Sequence, residues 1–273
     1  MLFKKYFENI NDWLENECLN ILQENNYVLI KEHINNNIVE AEFKNIFEII
    51  EYPLNVPKID NKYIYNKINI ISDSYSYSGH LYSINNISND KPNTPRTDFL
   101  YNIIKLYFKD ITHIFEIGCG VAFIPAYILN ENINIKYTGI DPQKEVYKEN
   151  LKLYSNYKNI DFINDFIHNK YINSKYDLIL HCHPWIKIPN LYDIYENIAY
   201  NIKPKYFVLQ TYGNKDNNNT QVKNIYINLI HIFLKGNYEK VFQIYDLNIN
   251  NIFFNNKWFL PTNQTIIIFK YKL

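Results

Sequence analysis

The chain has 273 residues, with 28 Lys plus Arg set against 28 Asp plus Glu and a pI near 7. Such neutrality gives no global field for a polyanion, so nucleic acid is not favoured and would need a local patch. With 47% hydrophobic and 21% charged residues, the chain is able to bury a sizeable core. Three cysteines, Cys18, Cys119 and Cys182, include no CxxC pair, which excludes a disulfide framework and a zinc ribbon. The opening MLFKKYFENINDWLENE interrupts its apolar residues with charges. It reads as neither signal peptide nor membrane span, and no apolar run reaches about 18 residues. The expectation is a cytoplasmic protein with no membrane partner and an oligomeric state left open. The excess of Asn, Ile, Lys and Tyr is read as nucleotide bias, with 26 Tyr but only 6 Gly and 1 Met.

In chain order, Phe3, Phe7, Ile10, Trp13, Leu14 and Ile21 recur at three- and four-residue steps, which predicts an amphipathic helix over 3–22. A strand is expected over 27–34. The pattern at 41–52 again predicts a helix, stopped by Pro53 and Pro57. Residues 58–93, rich in Tyr, Asn and Ser, read as short strands and loops. At Thr94 the pattern changes: an N-cap threonine precedes Pro95 at the first helical position. From there strands are expected at 111–117, 135–140, 161–163, 176–182, 206–211, 241–244 and 265–271. Helices are expected at 122–130, 142–155, 190–202 and 221–235. This alternation predicts an α/β fold, a mainly parallel doubly wound sheet covered on both faces. The last two strands are joined by too short a segment for a crossover and are expected to pair antiparallel. Residues 1–93 form a smaller N-terminal α+β region with an accessory or substrate role; 94–273 form the main domain.

Three units carry the chemistry. In Ile-Phe-Glu-Ile-Gly-Cys-Gly at 114–120, a strand delivers Glu116 into a turn where Gly118 and Gly120 flank one residue. Glycine lets the backbone turn tightly and approach a ligand without a Cβ in the way. A plain strand-to-helix turn without ligand is the alternative. In Tyr-Thr-Gly-Ile-Asp at 137–141, Asp141 ends the next strand, where an acidic group commonly accepts from ribose hydroxyls. Its plainer role is the N-cap of the helix beginning at Pro142. Asn-Asp-Phe at 164–166 follows a further strand.

Nicotinamide-dinucleotide folds share this spacing. Against them stand the missing third glycine in Gly-Cys-Gly-Val-Ala-Phe, the acidic Glu116 two residues before the turn, and the third acidic unit. On these residues the chain resembles the class I S-adenosylmethionine (SAM)-dependent methyltransferases over about 94–273. The resemblance implies SAM as cofactor. It implies that Glu116, Gly118 and Gly120 border its methionine part, that Asp141 binds the ribose, and that Asp165 with Phe166 borders the adenine. It also implies a seven-stranded sheet with an antiparallel last strand. Ala122 departs from the pattern, because many members carry a third glycine there.

The reaction end falls in Tyr-Asp-Leu-Ile-Leu-His-Cys-His-Pro-Trp-Ile at 176–186. In the resembled family this strand end borders the transferred methyl group, which places Cys182 beside the cofactor. Amino-group methyltransferases often carry Asn/Asp-Pro-Pro-aromatic there. This chain offers Cys182, His183, Pro184 and Trp185, so only the Pro-aromatic half is kept. Cysteine is a poor acceptor beside an amide oxygen. His181 or His183 suits a general base near neutrality, and Trp185 suits stacking on an acceptor or a cation. Two further readings stay open: core histidines at a packed strand end, and His181 with His183 as metal ligands, for which no third ligand is evident. No metal is expected. Cys182 as a nucleophile has nothing in the sequence to activate it.

Upstream, Thr94-Pro95-Arg96-Thr97-Asp98-Phe99 is similar to the turn of release-factor glutamine methyltransferases and of certain rRNA adenine-N6 methyltransferases. The altered strand-end motif argues against carrying either substrate over. Arg96 is the single arginine of the chain, and its planar fork is what Lys cannot supply. It is expected to contact a carboxylate or backbone carbonyls near the site, against a plain surface role at a helix start. Taken together, the sequence predicts a SAM-dependent methyltransferase with small-molecule, protein or RNA acceptor. A SAM-fold aminoalkyl transferase and a catalytically silent SAM-fold binding module are the alternatives.

Overall fold

The structure is a computed structural model that describes residues 2–7, 27–35, 38–49, 95–120, 122–182, 190–212, 220–248 and 263–273. Three strands come first: β1 (Leu2–Phe7), β2 (Tyr27–Asn35) and β3 (Ile38–Asn45). The strand expected at 27–34 is present. The helix expected over 3–22 is not found at its start, where 2–7 are extended; 8–22 lie outside the described residues. The helix expected from 41 is likewise replaced by β3 and a 3-10 turn at Ile46–Glu48, with 50–52 outside the described residues. The physical reason is a shared multiple. Phe3 and Phe7 are four apart, a spacing that satisfies a helical turn and a strand alternation equally. In β3 the alternation wins: Val39, Ala41 and Phe43 are buried, and the residues between them face outward. Lys4 of β1 then meets Glu40 and Glu42 of β3 at 3.3 and 2.7 Å, cross-strand pairs that a helix would not make. The segment read as short strands and loops, 58–93, lies outside the described residues.

From Pro95 the α/β alternation is as expected. Helix α1 (Pro95–Lys105) starts on Pro95, whose fixed φ and missing N–H suit a first helical position. It leads to β4 (His113–Ile117), α2 (Phe123–Asn130), β5 (Lys136–Ile140), α3 (Lys144–Leu153), β6 (Ile160–Ile163) and β7 (Leu178–Cys182). Then come α4 (Leu191–Glu196), widening into a π turn at Asn197–Ile202, β8 (Tyr206–Tyr212), α5 (Thr220–Lys235), β9 (Tyr238–Asn248) and β10 (Asn263–Tyr271).

All described strands join one mixed sheet of ten, in the order β1-β3-β2-β9-β10-β8-β7-β4-β5-β6. The run β6-β5-β4-β7-β8 is parallel, and β10 lies antiparallel between β8 and β9. The expected antiparallel ending is therefore present, while the sheet is larger than seven strands. The first three extend it through β2, whose Leu29 pairs with Gln243 of β9. Glu32 and Lys240 meet at 2.7 Å across that junction, and both side chains are essentially unexposed.

Side chains from the two faces form two apolar layers. One gathers Leu100, Ile103 and Ile104 of α1, Ile124 and Ile128 of α2 and Val146 of α3. The other gathers Leu191, Ile194 and Tyr195 of α4 with Leu229, Ile230 and Phe233 of α5. With strands buried on both faces, parallel β4, β7 and β8 read as near-continuous apolar runs in the sequence. Among the described residues no helix is long and apolar enough to cross a membrane.

The position of the site follows from this order. The chain steps outward from β4 to β5 and β6 on one side and from β7 to β8 on the other. In open α/β sheets, ligands bind in the crevice outside the carboxyl ends of the strands where the order reverses. Here that reversal lies between β4 and β7.

Candidate cofactor crevice

Four strand ends meet at this crevice. They are the Gly118-Cys119-Gly120 bend after β4, Asp141 after β5, 164–166 after β6, and His181-Cys182 ending β7. The fold thus gathers at one end of the sheet groups that the sequence spreads from Gly118 to Cys182.

The bend is left-handed at several points: φ is +69° at Gly118, +50° at Gly120 and 49° at Ala122. Ala122 takes the strained conformation that a third glycine would hold freely. Gly118 is exposed, and a Cβ built on it would meet no atom within 4 Å. The bend is therefore open on its outer side. On its inner side it is held closely. The N–H groups of Gly118 and Cys119 both donate to the Ile140 carbonyl, at 2.9 and 3.1 Å. Gly120 donates to Asp141 Oδ2 at 3.1 Å. Asn150 Nδ2 donates to the Gly120 carbonyl at 2.7 Å, and the Tyr154 hydroxyl donates to the Ala122 carbonyl at 2.8 Å.

Asp141 is not the N-cap of the following helix, as the sequence suggested. Helix α3 starts at Lys144, with Gln143 in the cap position. Asp141 Oδ1 instead accepts the Gln143 N–H at 2.9 Å, an Asx-type turn that sets the helix entry. Pro142 and Gln143 stand between because the chain must first turn off the strand end. Burial raises the Asp141 carboxyl above its usual range, opposed by the two N–H donors of Gln143 and Gly120.

Beneath the bend lies a buried polar cluster. Glu116 is buried, and its Oε2 accepts the Tyr137 hydroxyl at 2.5 Å. Burial pushes the Glu116 carboxyl up to about 8; the Tyr137 hydrogen bond lowers it and the Asp141 charge adds to the rise. Burial likewise raises the Cys119 thiol and the Tyr137 hydroxyl. Cys119 packs onto Gly139, where an added Cβ would lie 2.7 Å from its Sγ and 3.0 Å from the Tyr137 hydroxyl. Glycine at 139 is thus what lets this cluster close.

After β6, Asp165 Oδ1 accepts the Phe166 N–H at 2.8 Å, its Oδ2 accepts the Tyr171 hydroxyl, and Lys170 lies at 3.3 Å. The Tyr171 hydrogen bond is the main cause that lowers the Asp165 carboxyl. Phe166 is 56% exposed, one of several large apolar side chains at the surface. Asn164 Nδ2 donates to the Asp141 carbonyl at 3.1 Å and links the ends of β5 and β6.

At β7 the two described candidates differ. His181 is buried, with Nδ1 at 2.9 Å from the Tyr195 hydroxyl of α4, and burial lowers its pKa to about 3. The ring is a neutral, hydrogen-bonded core histidine on the α4 side of the sheet. Cys182 is half-buried against the other apolar layer, the face that carries Glu116 and Cys119. Arg96 lies in the first turn of α1. The Arg96 side chain, and His183, Pro184 and Trp185 entirely, lie outside the described residues. Among the described residues no three His, Cys, Asp or Glu side chains are grouped to hold a metal.

Sequence reasoning missed Tyr137, Gly139, Asn150, Tyr154 and Tyr195. Gly139 had a usable signal: it is one of only 6 glycines, inside a buried strand, where glycine marks a close approach. The tyrosines had none, since 26 of them dilute any single one.

Strand order and strand ends together define a doubly wound α/β protein with a crevice at the reversal point of its sheet. No family model matches the chain, and no curated protein matches it. Among solved structures the chain is similar to the methyltransferase domain of bacterial CtHen1, at 14% identity and TM-score 0.49, over 65% of this chain and 97% of that one. It is also similar to the Methanococcus jannaschii fibrillarin pre-rRNA processing protein, at 16% identity and TM-score 0.46, over 66% and 76%. An rRNA methylase from Streptococcus thermophilus is similar at 10% identity and TM-score 0.47, over 66% and 98%.

Proposed function

We propose that this protein is a methyltransferase that takes its methyl group from SAM, with an acceptor of unassigned class. The observation that carries the reading is the outer face of the bend at Gly118, open at the reversal point and bordered by the Asp141 carboxylate. A bend serving only to connect strand and helix has no need of that opening. The side chains present fit the cofactor. Gly118 and Gly120 offer Cβ-free backbone to its methionine part, above Glu116. Each Asp141 oxygen accepts one N–H, and a carboxylate has about four acceptor sites, so capacity remains for ribose hydroxyls. The exposed Phe166 ring suits stacking on adenine, beside Asp165. Cys182 borders the same face from β7.

When bound, SAM supplies a methyl group already activated by its sulfonium. The protein's own work is then in-line positioning and exclusion of water. His181 acts through its hydrogen bond to Tyr195, holding the end of β7 in place; at a pKa of about 3 it takes up no proton at neutral pH. His183 remains the candidate base, with Pro184, Trp185 and Arg96 on the acceptor side. Residues 1–93 form an accessory region and 94–273 the SAM-binding domain.

Calorimetry of the full chain with SAM and with S-adenosylhomocysteine tests the reading. Binding of both is expected, and absence of affinity for either removes it.

A further inference from the structure

Gly120 is held at both of its peptide groups by side chains of the next βα unit. Its N–H goes to Asp141 and its carbonyl goes to Asn150 of α3, at 2.7 Å. Four residues on, at the C-cap of α3, Tyr154 donates to the Ala122 carbonyl at 2.8 Å. Asn150 and Tyr154 are both buried, which shields both donors from bulk water. The carbonyls they hold belong to residues at φ of +50° and 49°. A left-handed alanine costs on the order of 1 kcal/mol and persists only when its surroundings over-determine it.

From this geometry we infer that Asn150 and Tyr154 are positioning residues of the cofactor site: a two-point clamp from α3 that presets the bend for the methionine part of the ligand. The inference rests on the proposed SAM-binding role. Neither side chain touches the outer, open side of the bend at Gly118. Both act through the backbone that the ligand would meet. A preset bend spares the ligand the cost of ordering it, so loss of a clamp point weakens binding without removing any ligand contact. The adenine side, at 164–166, is supported separately by Asp165, Tyr171 and Asn164. Clamp variants therefore divide ligands by whether they reach the bend.

The test compares S-adenosylhomocysteine, which carries the aminoalkyl arm, with adenosine, which does not. Wild-type protein, Asn150→Ala, Asn150→Asp and Tyr154→Phe are titrated with each, and their folding is followed by thermal unfolding. Asn150→Ala is expected to bind S-adenosylhomocysteine about tenfold more weakly and adenosine within about twofold of wild type. Asn150→Asp is expected to be worse than Ala, because a carboxylate presents an acceptor to the Gly120 carbonyl. Tyr154→Phe removes only a hydroxyl, and a loss of about threefold for S-adenosylhomocysteine alone is expected. It decides the matter if the Asn150 variants do not fold. Unchanged S-adenosylhomocysteine affinity, or an equal loss for both ligands, overturns the clamp. Failure of wild type to bind S-adenosylhomocysteine overturns instead the function on which it rests.

Discussion

Asp141 holds Gly120 by a hydrogen bond from its N–H to Oδ2, at 3.1 Å, while the second carboxylate oxygen holds the entry of α3 through Gln143 at 2.9 Å. A side chain that the sequence offers as either cap or ligand group is thus the tie between two consecutive loops. Charge-assisted hydrogen bonds of this kind are roughly twice as strong as neutral ones. Asp141→Asn keeps one acceptor oxygen and leaves one of the two N–H groups without its partner. Its affinity for S-adenosylhomocysteine is expected to fall about tenfold, and that of Asp141→Ala about a hundredfold. Both are measured by calorimetry. Wild-type affinity in Asp141→Ala would detach the carboxylate from the ligand.

Gly118 and Gly139 should separate into two kinds of defect. At Gly118 an alanine Cβ meets open space, so only the left-handed φ of +69° is costly, about 1 kcal/mol. The fold is expected to survive and the affinity for SAM to drop at least about tenfold, since the methyl occupies the face that the ligand needs. At Gly139 an alanine Cβ would lie 2.7 Å from Cys119 Sγ and 2.9 Å from its Cβ. Overpacking of this kind costs about 1–3 kcal/mol. Denaturant unfolding should show that loss in Gly139→Ala and a partial recovery in Gly139→Ala with Cys119→Ala. Equal losses in the single and double variants would mean that Cys119 is not the obstacle.

The doubly wound core was readable because its parallel strands are buried on both faces and its helices carry three- and four-residue apolar steps. The bend at Gly118 and Gly120 was readable for a related reason: positive φ restricts residue type there. Strand β1 was misread because Phe3 and Phe7 fit both periods, and pairing with β3, not local pattern, decides between them. The partners beneath the bend were invisible for another reason. Tyr137 and Glu116 face each other across strands 21 residues apart, a relationship fixed by register alone. His181 was legible as a polar residue in a buried strand, but its partner Tyr195 lies on the covering helix.

Glu116 and His181 should give the folded state two opposed proton linkages. His181 falls from an ordinary value near 6.5 to about 3. Between those limits the unfolded chain binds more protons, so stability rises with pH and is lost on acidification. Glu116 rises from 4.5 to about 8. Between those limits the folded chain binds more protons, so stability falls as pH rises. Each slope is at most about 1.4 kcal/mol per pH unit. They cancel between 4.5 and 6.5, the window common to both shifts. Denaturant unfolding from pH 3 to 8 is therefore expected to lose the alkaline decline in Glu116→Gln and the acid decline in His181→Phe. An alkaline decline that persists unchanged in Glu116→Gln would place its origin elsewhere.

The Glu32–Lys240 pair should decide how firmly the first three strands are joined to the rest. With Leu29 opposite Gln243 in an antiparallel pair, Glu32 lies opposite Lys240, three residues on in each direction, and their side chains meet at 2.7 Å. Both are buried, and each ion compensates the charge of the other. Removing one member of a buried ion pair costs about 3–5 kcal/mol, whereas replacing both by apolar residues of similar volume is often neutral. Lys240→Met is thus expected to destabilise the protein by that amount, and Glu32→Leu with Lys240→Met to recover most of it, in denaturant unfolding. Hydrogen exchange at β2 and β3 in Lys240→Met is the sharper readout. Faster exchange there, with β4 and β5 still protected, identifies the pair as the fastening of the N-terminal strands. Uniform acceleration across the sheet would show instead that the ten strands unfold as one unit.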